Sequence, residues 1–309
     1  MKVVFMGTPA AAAVSLERLL ADGHEVVAVY TQPDRPSGRG NKITFSPVKE
    51  RAISEGISVL QPTKVKTEEA AETFANHNAD VAIVVAYGRI LPDAFLNAFP
   101  LGAINVHFSL LPKYRGAAPV NWAIVNGESE TGVTTMRMDA GLDTGDILLQ
   151  RATAIGADET APALMQRLSE LGAELLSETL SSFYDITPKV QVSGEATYAP
   201  IMKREDGLID WSLSAHEIVN RVRGFQPFPG TYTFHEGARL TLWRAAAEEM
   251  SASKDAFGTV IEARGESLRI VCRDSVLRIE ELQPEGKRRM GVRDFLNGAR
   301  LDAGTVLGK

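Results

Sequence analysis

Cysteine is almost missing from this chain of 309 residues: Cys272 stands alone, which excludes an internal disulfide, a multi-cysteine metal site and a CxxC redox pair. A reducing, cytoplasmic setting is expected. Long hydrophobic runs are missing too. No stretch approaches the roughly 20 apolar residues that cross a bilayer, and the opening MKVVFMGTP has only about five apolar residues before its first glycine. Neither export nor a membrane partner is expected. There is no Gly-x-Gly-x-x-Gly turn and no Walker loop, so neither fingerprint of nucleotide phosphate binding is present. An excess of positive charge is also lacking. The net charge of −6 argues against a general nucleic-acid coat, and because residues 206–309 hold 15 basic and 15 acidic side chains, all of the excess lies before them. The C-terminal part is the relatively basic one, compatible with nucleic-acid contact without requiring it.

What is present is the mix of a soluble globular protein, 44% hydrophobic and 23% charged, in a chain long enough for two cores. Lys2–Met6 reads as a strand, Gly7-Thr8-Pro9 as a turn, and the alanine- and leucine-rich stretch to Asp22 as a helix. Thr8 is expected to cap that helix through its hydroxyl, with Pro9 at the first helical position and Gly23 just past its end. Glu25–Thr31 completes a βαβ unit. Further strands are expected at Asp80–Ala86, Gly102–Phe108, Thr131–Met138 and Ile147–Ala152, giving an α/β, Rossmann-like, mostly parallel sheet with helices on both faces. Leu164, Leu168, Leu171, Leu175 and Leu176 recur at helical spacing between Asp158 and Phe183, so a long amphipathic helix closes this domain. Residues 187–206 mix turn formers and charge without periodicity and read as a linker. Five short strands after it, at Thr231–His235, Leu240–Ala245, Gly258–Ala263, Leu268–Cys272 and Leu277–Leu282, suggest a small β-barrel of the oligonucleotide-binding type. The expected domains are 1–189, a linker at 190–205, and 206–309.

Three places could carry chemistry. The Gly7 turn could offer free helix amides to an anion, although a tight turn explains it equally simply. Asn105 and His107 end an apolar strand, where alternation puts both on one face and Ile104 and Val106 on the other. At the carboxyl end of a parallel strand they would stand where open α/β sheets bind ligands; a satisfied structural histidine remains the alternative. The third is Asp139-Ala-Gly-Leu-Asp143-Thr-Gly-Asp146. It fails as an EF-hand loop, because Gly141, Thr144 and Gln150 stand where an oxygen ligand, a glycine and a glutamate would be needed. A turn whose aspartates bond backbone amides explains Asp139 and Asp146.

These residues, in this order, resemble the methionyl-tRNA formyltransferases, a family of folate-dependent formyltransferases. The resemblance covers nearly the whole chain and rests on TQPDRPSGRG from Thr31, AYGRILP from Ala86, NVHFSLLPKYRGAAP from Asn105 and MDAGLDTGD from Met138. It implies an enzyme that moves the formyl group of 10-formyltetrahydrofolate to the α-amino group of initiator methionyl-tRNA, with no metal. It implies Asn105 and His107 as donors to a developing oxyanion, and Asp143 as the group that orients His107 and helps accept the amine proton. Ser109, Leu110, Leu111 and Pro112 resemble the folate-binding turn. Lys113 and Arg115 could meet phosphate or a glutamate tail, or simply be an exposed cationic turn. For the tRNA the candidates are Arg39, Lys42, Lys203, Arg204, Lys287, Arg288 and Arg289, the last three placed after the final strand. The family usually has an acidic residue and Phe after Gly-Thr-Pro, where this chain has Ala10 and Ala11, so an aromatic wall near the methionyl pocket is missing. A monomer is expected. Formyl transfer to an amino sugar nucleotide or glycinamide ribonucleotide, and a non-catalytic nucleotide-binding regulator, are the competing readings.

Overall fold

The structure, a computed structural model, describes residues 1–37, 42–249 and 255–308. By contacts the chain divides into two units. One comprises Met1–Pro119, Glu130–Ala154 and Met165–Pro200, and the other Val120–Ser129, Ile155–Leu164 and Ile201–Lys309. Residues 190–200 therefore pack with the first unit rather than bridging two bodies.

The first unit is built on β1 (Lys2–Gly7), α1 (Ala10–Ala21), β2 (Glu25–Tyr30), a short hairpin of β3 (Arg35–Ser37) and β4 (Lys42–Thr44), α2 (Pro47–Ser54), β5 (Val59–Leu60), α3 (Glu68–Ala75), β6 (Val81–Val85), α4 (Asp93–Leu96) and β7 (Ala103–His107). β8 (Arg115–Gly116), α5 (Pro119–Val125), β9 (Glu130–Arg137), β10 (Ile147–Ala154), α6 (Ala161–Ser181) and β11 (Tyr198–Ala199) follow in the chain, α5 after Pro119 and the start of α6 up to Leu164 belonging to the second unit. Seven strands form one sheet in the order β10-β9-β7-β6-β1-β2-β5. The five from β7 to β5 are parallel, and β9 and β10 run antiparallel at the other edge. Val3-Val4-Phe5-Met6, Val81–Val85 and Ala103–His107 are buried throughout, the continuous pattern of strands covered on both faces. Of the leucines expected on the long helix, Leu164, Leu168, Leu175 and Leu176 are at most 2% exposed.

The chain leaves β1 towards β2 and returns on its other side as β6, so a topological switch point lies between β1 and β6. An open cleft of about 600 Å³ lies at these carboxyl ends, lined by Thr8, Gln32, Asp34, Phe45, Ser46 and Gly88. Thr8 does not cap α1. The N-cap is Pro9, with no side-chain bond, and the Thr8 hydroxyl instead accepts from Thr31 Oγ1 (3.4 Å) and the Gln32 amide (3.3 Å), tying the end of β1 to the end of β2. Tertiary bonding outcompeted the local cap. Gly23 does follow α1 with φ +78°, as a helix end favours.

The second unit carries α7 (Ala215–Gly224) and an antiparallel sheet of β12 (Thr231–His235), β13 (Ala238–Glu249), β14 (Val260–Arg264), β15 (Ser267–Val271) and β16 (Ser275–Pro284), in the order β12-β13-β16-β15-β14. β17 (Met290–Gly291) pairs with β16, and α8 (Val292–Gly298) follows. Ser214 and Glu217 form a capping box that starts α7. The chain end closes the sheet: Leu307 N donates to Gly258 O (3.0 Å) beside β14, and Gly308 N donates to Phe234 O in β12 (2.8 Å). Closure through the tail leaves neither outer strand as an open edge there. Leu307 is 3% exposed in the core cluster with Trp211, Val260 and Leu277. Cys272 is buried in the same core, and desolvation pushes its thiol up to about 12, so it is packing and not a nucleophile.

Candidate active site

β7 ends with Asn105 and His107, 8% and 5% exposed, and antiparallel β9 puts Thr134 opposite His107. His107 Nε2 lies 2.9 Å from the Tyr114 carbonyl oxygen, which can only accept, so Nε2 carries a hydrogen. Nδ1 then faces Asp143 Oδ2 at 3.6 Å, a close approach but longer than a hydrogen bond. Asp143 Oδ2 accepts instead from the Gly116 amide at 2.8 Å. The ring is therefore oriented by Tyr114 O, a partner that nothing in the sequence pattern had named, while Asp143 stands beside the other nitrogen. Among the described residues nothing hydrogen-bonds the Asn105 carboxamide. Its oxygen and nitrogen are not among the buried unpartnered side-chain atoms, so the amide keeps contact with solvent and is open to a ligand.

Two non-glycine residues here take the left-handed conformation, Tyr114 (φ 60°) and Asp143 (φ 54°), as does Ala86 (φ 45°) after β6. Each costs about 1–3 kcal/mol and persists only where its surroundings enforce it. Glycine is required twice nearby. A Cβ at Gly145 would come 1.7 Å from Arg137 O, and one at Gly116 (φ +120°) would come 2.7 Å from Ala199 O. Asp139 bonds the Gly141 amide and Thr144 hydroxyl, the turn role expected of it.

The enforcing residues come from the segment expected to be a linker. Gln191 is 7% exposed while its neighbours Val190 and Val192 are 80% and 58% exposed, the reverse of what hydropathy predicts. Its Oε1 accepts from Arg115 Nε (3.1 Å) and Nη2 (2.7 Å), and its Nε2 donates to the carbonyls of Asp143 (2.9 Å) and Gly145 (2.7 Å). Thr197 Oγ1 accepts from the Tyr114 amide at 2.8 Å, and β11 pairs in parallel with β8. Arg115, 4% exposed, is thus neither part of an exposed cationic turn nor placed to meet a solvent-borne phosphate.

The Ser109–Pro112 turn is bonded inward. Ser109 O accepts from Thr134 Oγ1 (2.6 Å), Leu111 N donates to Thr134 Oγ1 (3.1 Å), and Leu111 O accepts from Gln150 Nε2 (2.8 Å). Leu111 packs with Met136 and Ile147. These backbone groups hold the turn, which leaves ligand contact there to apolar surface and shape. At the cleft, Asp34 takes an ion pair with Lys49 and a bond from Gln61 Nε2 (2.9 Å), which hold its carboxyl below the usual range. Gln32 Nε2 donates to Tyr87 O, and Thr31 Oγ1 bonds Ser46 Oγ, so the TQPD motif fixes the base of the β3–β4 hairpin. Ala10, at the start of α1, is exposed and offers no wall.

Of the tRNA candidates, Arg39 lies outside the described residues, and Lys42 begins β4 opposite Ser37. Lys203 and Arg204 are exposed at the short 3-10 turn Arg204–Gly207. Lys287, Arg288 and Arg289 do not follow the final strand: they form the turn between β16 and β17. Lys287 and Arg288 are exposed there, whereas Arg289 pairs with Glu281 and lies 5.2 Å from the centre of the Trp243 ring. Among the described residues no group of three His, Cys, Asp or Glu side chains is placed to hold a metal ion, and no helix is long and apolar enough to cross a membrane.

A switch-point α/β sheet with an amide, an imidazole and a carboxylate at one strand end defines a group-transfer site of the acyl type. The formyl transferase family model matches residues 1–180, and the formyl transferase C-terminal domain matches 201–300; the chain belongs to the formyl transferase family. It is 50% identical to a methionyl-tRNA formyltransferase of Caldanaerobacter subterraneus subsp. tengcongensis, over 99% of this chain and 100% of that one. It is 50% identical to one from Citrifermentans bemidjiense over 100% and 97% of the two chains. Among solved structures, an N-formyltransferase from Helicobacter canadensis superposes with a TM-score of 0.67 at 21% identity, covering 90% of this chain and 98% of that one. HypX from Aquifex aeolicus gives 0.65 at 20%, covering 98% and 49%. At that identity the likeness is one of fold.

Proposed function

We propose that this enzyme transfers the formyl group of 10-formyltetrahydrofolate to the α-amino group of initiator methionyl-tRNA, giving N-formylmethionyl-tRNA for translation initiation. The observation that carries the chemistry is the Asn105 carboxamide, open to solvent and without a partner among the described residues, two positions from the clamped His107. The relatives at 50% identity over whole chains carry the acceptor.

When the amine attacks the formyl carbon, negative charge grows on the formyl oxygen and positive charge on nitrogen. Asn105 Nδ2 donates to that oxygen, and because the amide is already fixed in the strand, no reorganisation is needed as the charge appears. With Nε2–H committed to Tyr114 O, the oxyanion role assigned to His107 falls to Nδ1, the nitrogen facing Asp143, which has a hydrogen to donate only when both ring nitrogens carry one. Asp143 takes the amine proton, directly or through one water; as the oxyanion collapses, the bond between the formyl carbon and N10 of the folate breaks, the proton passes to N10 and tetrahydrofolate leaves, so no covalent enzyme intermediate is required. The folate co-substrate is assigned to the Ser109-Leu110-Leu111-Pro112 turn, where the apolar surface suits a pterin. The Helicobacter canadensis structure was determined with folinic acid, and that of another relative in fold, WlaRD, with 5-N-formyl-THF.

Residues 1–189 are assigned to catalysis and 206–309 to the tRNA, with 190–205 joining them and lending Gln191 and Thr197 to the site. Arg39 and Lys42, with the cleft at the switch point, are assigned to the acceptor end, and Lys203, Arg204, Lys287 and Arg288 to the phosphate backbone. Arg289 is better placed to hold Glu281 and Trp243. The enzyme is taken as a cytoplasmic monomer without a metal. The test is formyl transfer to initiator methionyl-tRNA beside uncharged tRNA, free methionine and an amino sugar nucleotide. Transfer to methionyl-tRNA alone is expected, and transfer only to the sugar would overturn the acceptor.

A further inference from the structure

We propose that Gln191 is a positioning residue for formyl transfer, setting the Asp143 carboxylate by gripping the backbone at Asp143 itself and two residues beyond it; this rests on the catalytic role given to Asp143 above. Four hydrogen bonds converge on one buried carboxamide. Two come from Arg115 to Oε1, and two go from Nε2 to the carbonyls of residues 143 and 145. The first of those carbonyls belongs to Asp143 itself, the residue that must hold a left-handed φ of 54°.

The arrangement carries charge as well as shape. Among the described residues no carboxylate pairs with the buried Arg115 guanidinium; its Nε and Nη2 both donate to Gln191. A cation donating to an amide oxygen makes the same amide's N–H groups stronger donors, so Arg115 tightens the hold on the Asp143 and Gly145 carbonyls through Gln191. Residues 114–116 complete the frame. Tyr114 O fixes the imidazole, Arg115 fixes Gln191, and the Gly116 amide fixes Asp143 Oδ2, so one three-residue stretch and one glutamine set the distance between His107 and Asp143. Burying a glutamine between two exposed valines serves no packing purpose that a third apolar residue would not serve better.

Gln191→Glu separates the two halves of the device. The carboxylate still satisfies Arg115, with a charge, and so keeps the buried guanidinium paired, but it has no hydrogen to give to either carbonyl. In formyl transfer to initiator methionyl-tRNA, Gln191→Glu and Gln191→Ala are expected to lower kcat about tenfold to hundredfold, with KM for both substrates within about twofold. In an Asp143→Asn background the same changes are expected to cost less than about twofold, because residues acting through one another are not additive. Equal losses in both backgrounds, or a rise in KM at unchanged kcat, would overturn the proposal. An inactive wild-type enzyme would sink the functional reading instead. The positioning claim then stands on the Gly116 amide, whose hydrogen exchange should quicken by about tenfold or more in Gln191→Glu while the unfolding midpoint is held. An unchanged Gly116 exchange rate would refute it.

Discussion

At the end of β7 the polar side chains are buried and braced mainly by uncharged groups, whereas on the sheet of the second unit the charged side chains are exposed and paired with one another. Arg269 bonds Glu248 (2.8 Å) and Glu262, Arg278 bonds Glu248 (2.7 Å) and Glu280 (2.8 Å), and Arg244 bonds Glu280. Three arginines and three glutamates cancel on that surface. Surface pairs of this kind are worth about 0–1 kcal/mol and are screened by salt. They are cheap to rearrange, while the braced site is not. A reaction centre needs groups that stay put as charge develops, and the tRNA contact proposed for the second unit needs only that cations such as Lys287 and Arg288 remain exposed.

The largest effect should come from the braced side. Asp143→Ala is expected to lower the transfer rate by about a hundredfold to thousandfold, read by single-turnover formylation, with tRNA affinity kept. An effect under about tenfold would erase the contrast between the two regions. Next comes the closure of the sheet: Leu307→Ala removes a buried side chain from the tail and should cost about 2–3 kcal/mol in chemical denaturation of the second unit, leaving the first unit's transition in place. On the exposed side, Lys287→Ala or Arg288→Ala should each weaken tRNA binding by about 1 kcal/mol and flatten its salt dependence by nearly one counterion, while Arg289→Ala should do less because Glu281 already holds it. Equal effects at all three positions would show that the pairing does not matter.

The smallest effect is in pH. His77, which bonds the Tyr30 hydroxyl at 3.0 Å, and His24 are both held below the usual value of 6.5, chiefly by burial. Such a group resists the proton when folded and takes it when unfolded, so its stabilisation is present above 6.5 and is lost as pH falls below it. In the second unit the shifted acids, Asp210, Glu217 and Glu262, are all lowered and act only below the ordinary carboxylate range. Between pH 7.5 and 5.5 the first unit should therefore lose stability and the second should not. His77→Gln should remove part of that drop in thermal unfolding.

The sheet was legible because continuous apolar runs such as Val81–Val85 report burial directly; Thr231–His235 also read as a strand, although its buried face is Thr231 and Thr233 rather than Tyr232 and Phe234. Asn105 and His107 were legible as two polar residues on one face at a strand end, whereas Asp143 was singled out only by the family resemblance. Gln191, Arg115, Tyr114 and Thr197 were not. They act through backbone carbonyls and amides at separations of 48 residues for Gln191 to Asp143 and 83 for Tyr114 to Thr197, and a backbone group has no letter in the sequence. Thr8 failed for a related reason, since its hydroxyl had a local cap available and was taken by a partner 23 residues away. The closing tail was invisible because its hydrogen bonds use only main-chain atoms.

The measurement that bears most directly on the site is the single-turnover rate of formyl transfer from 10-formyltetrahydrofolate to initiator methionyl-tRNA for the wild-type enzyme and for Asn105→Ala. A loss of at least about a hundredfold, with folding and the binding of both substrates intact, is the predicted result, because the carboxamide would be the main donor to the developing oxyanion. A loss under about threefold would contradict the account, since the oxyanion would then be stabilised without the Asn105 carboxamide.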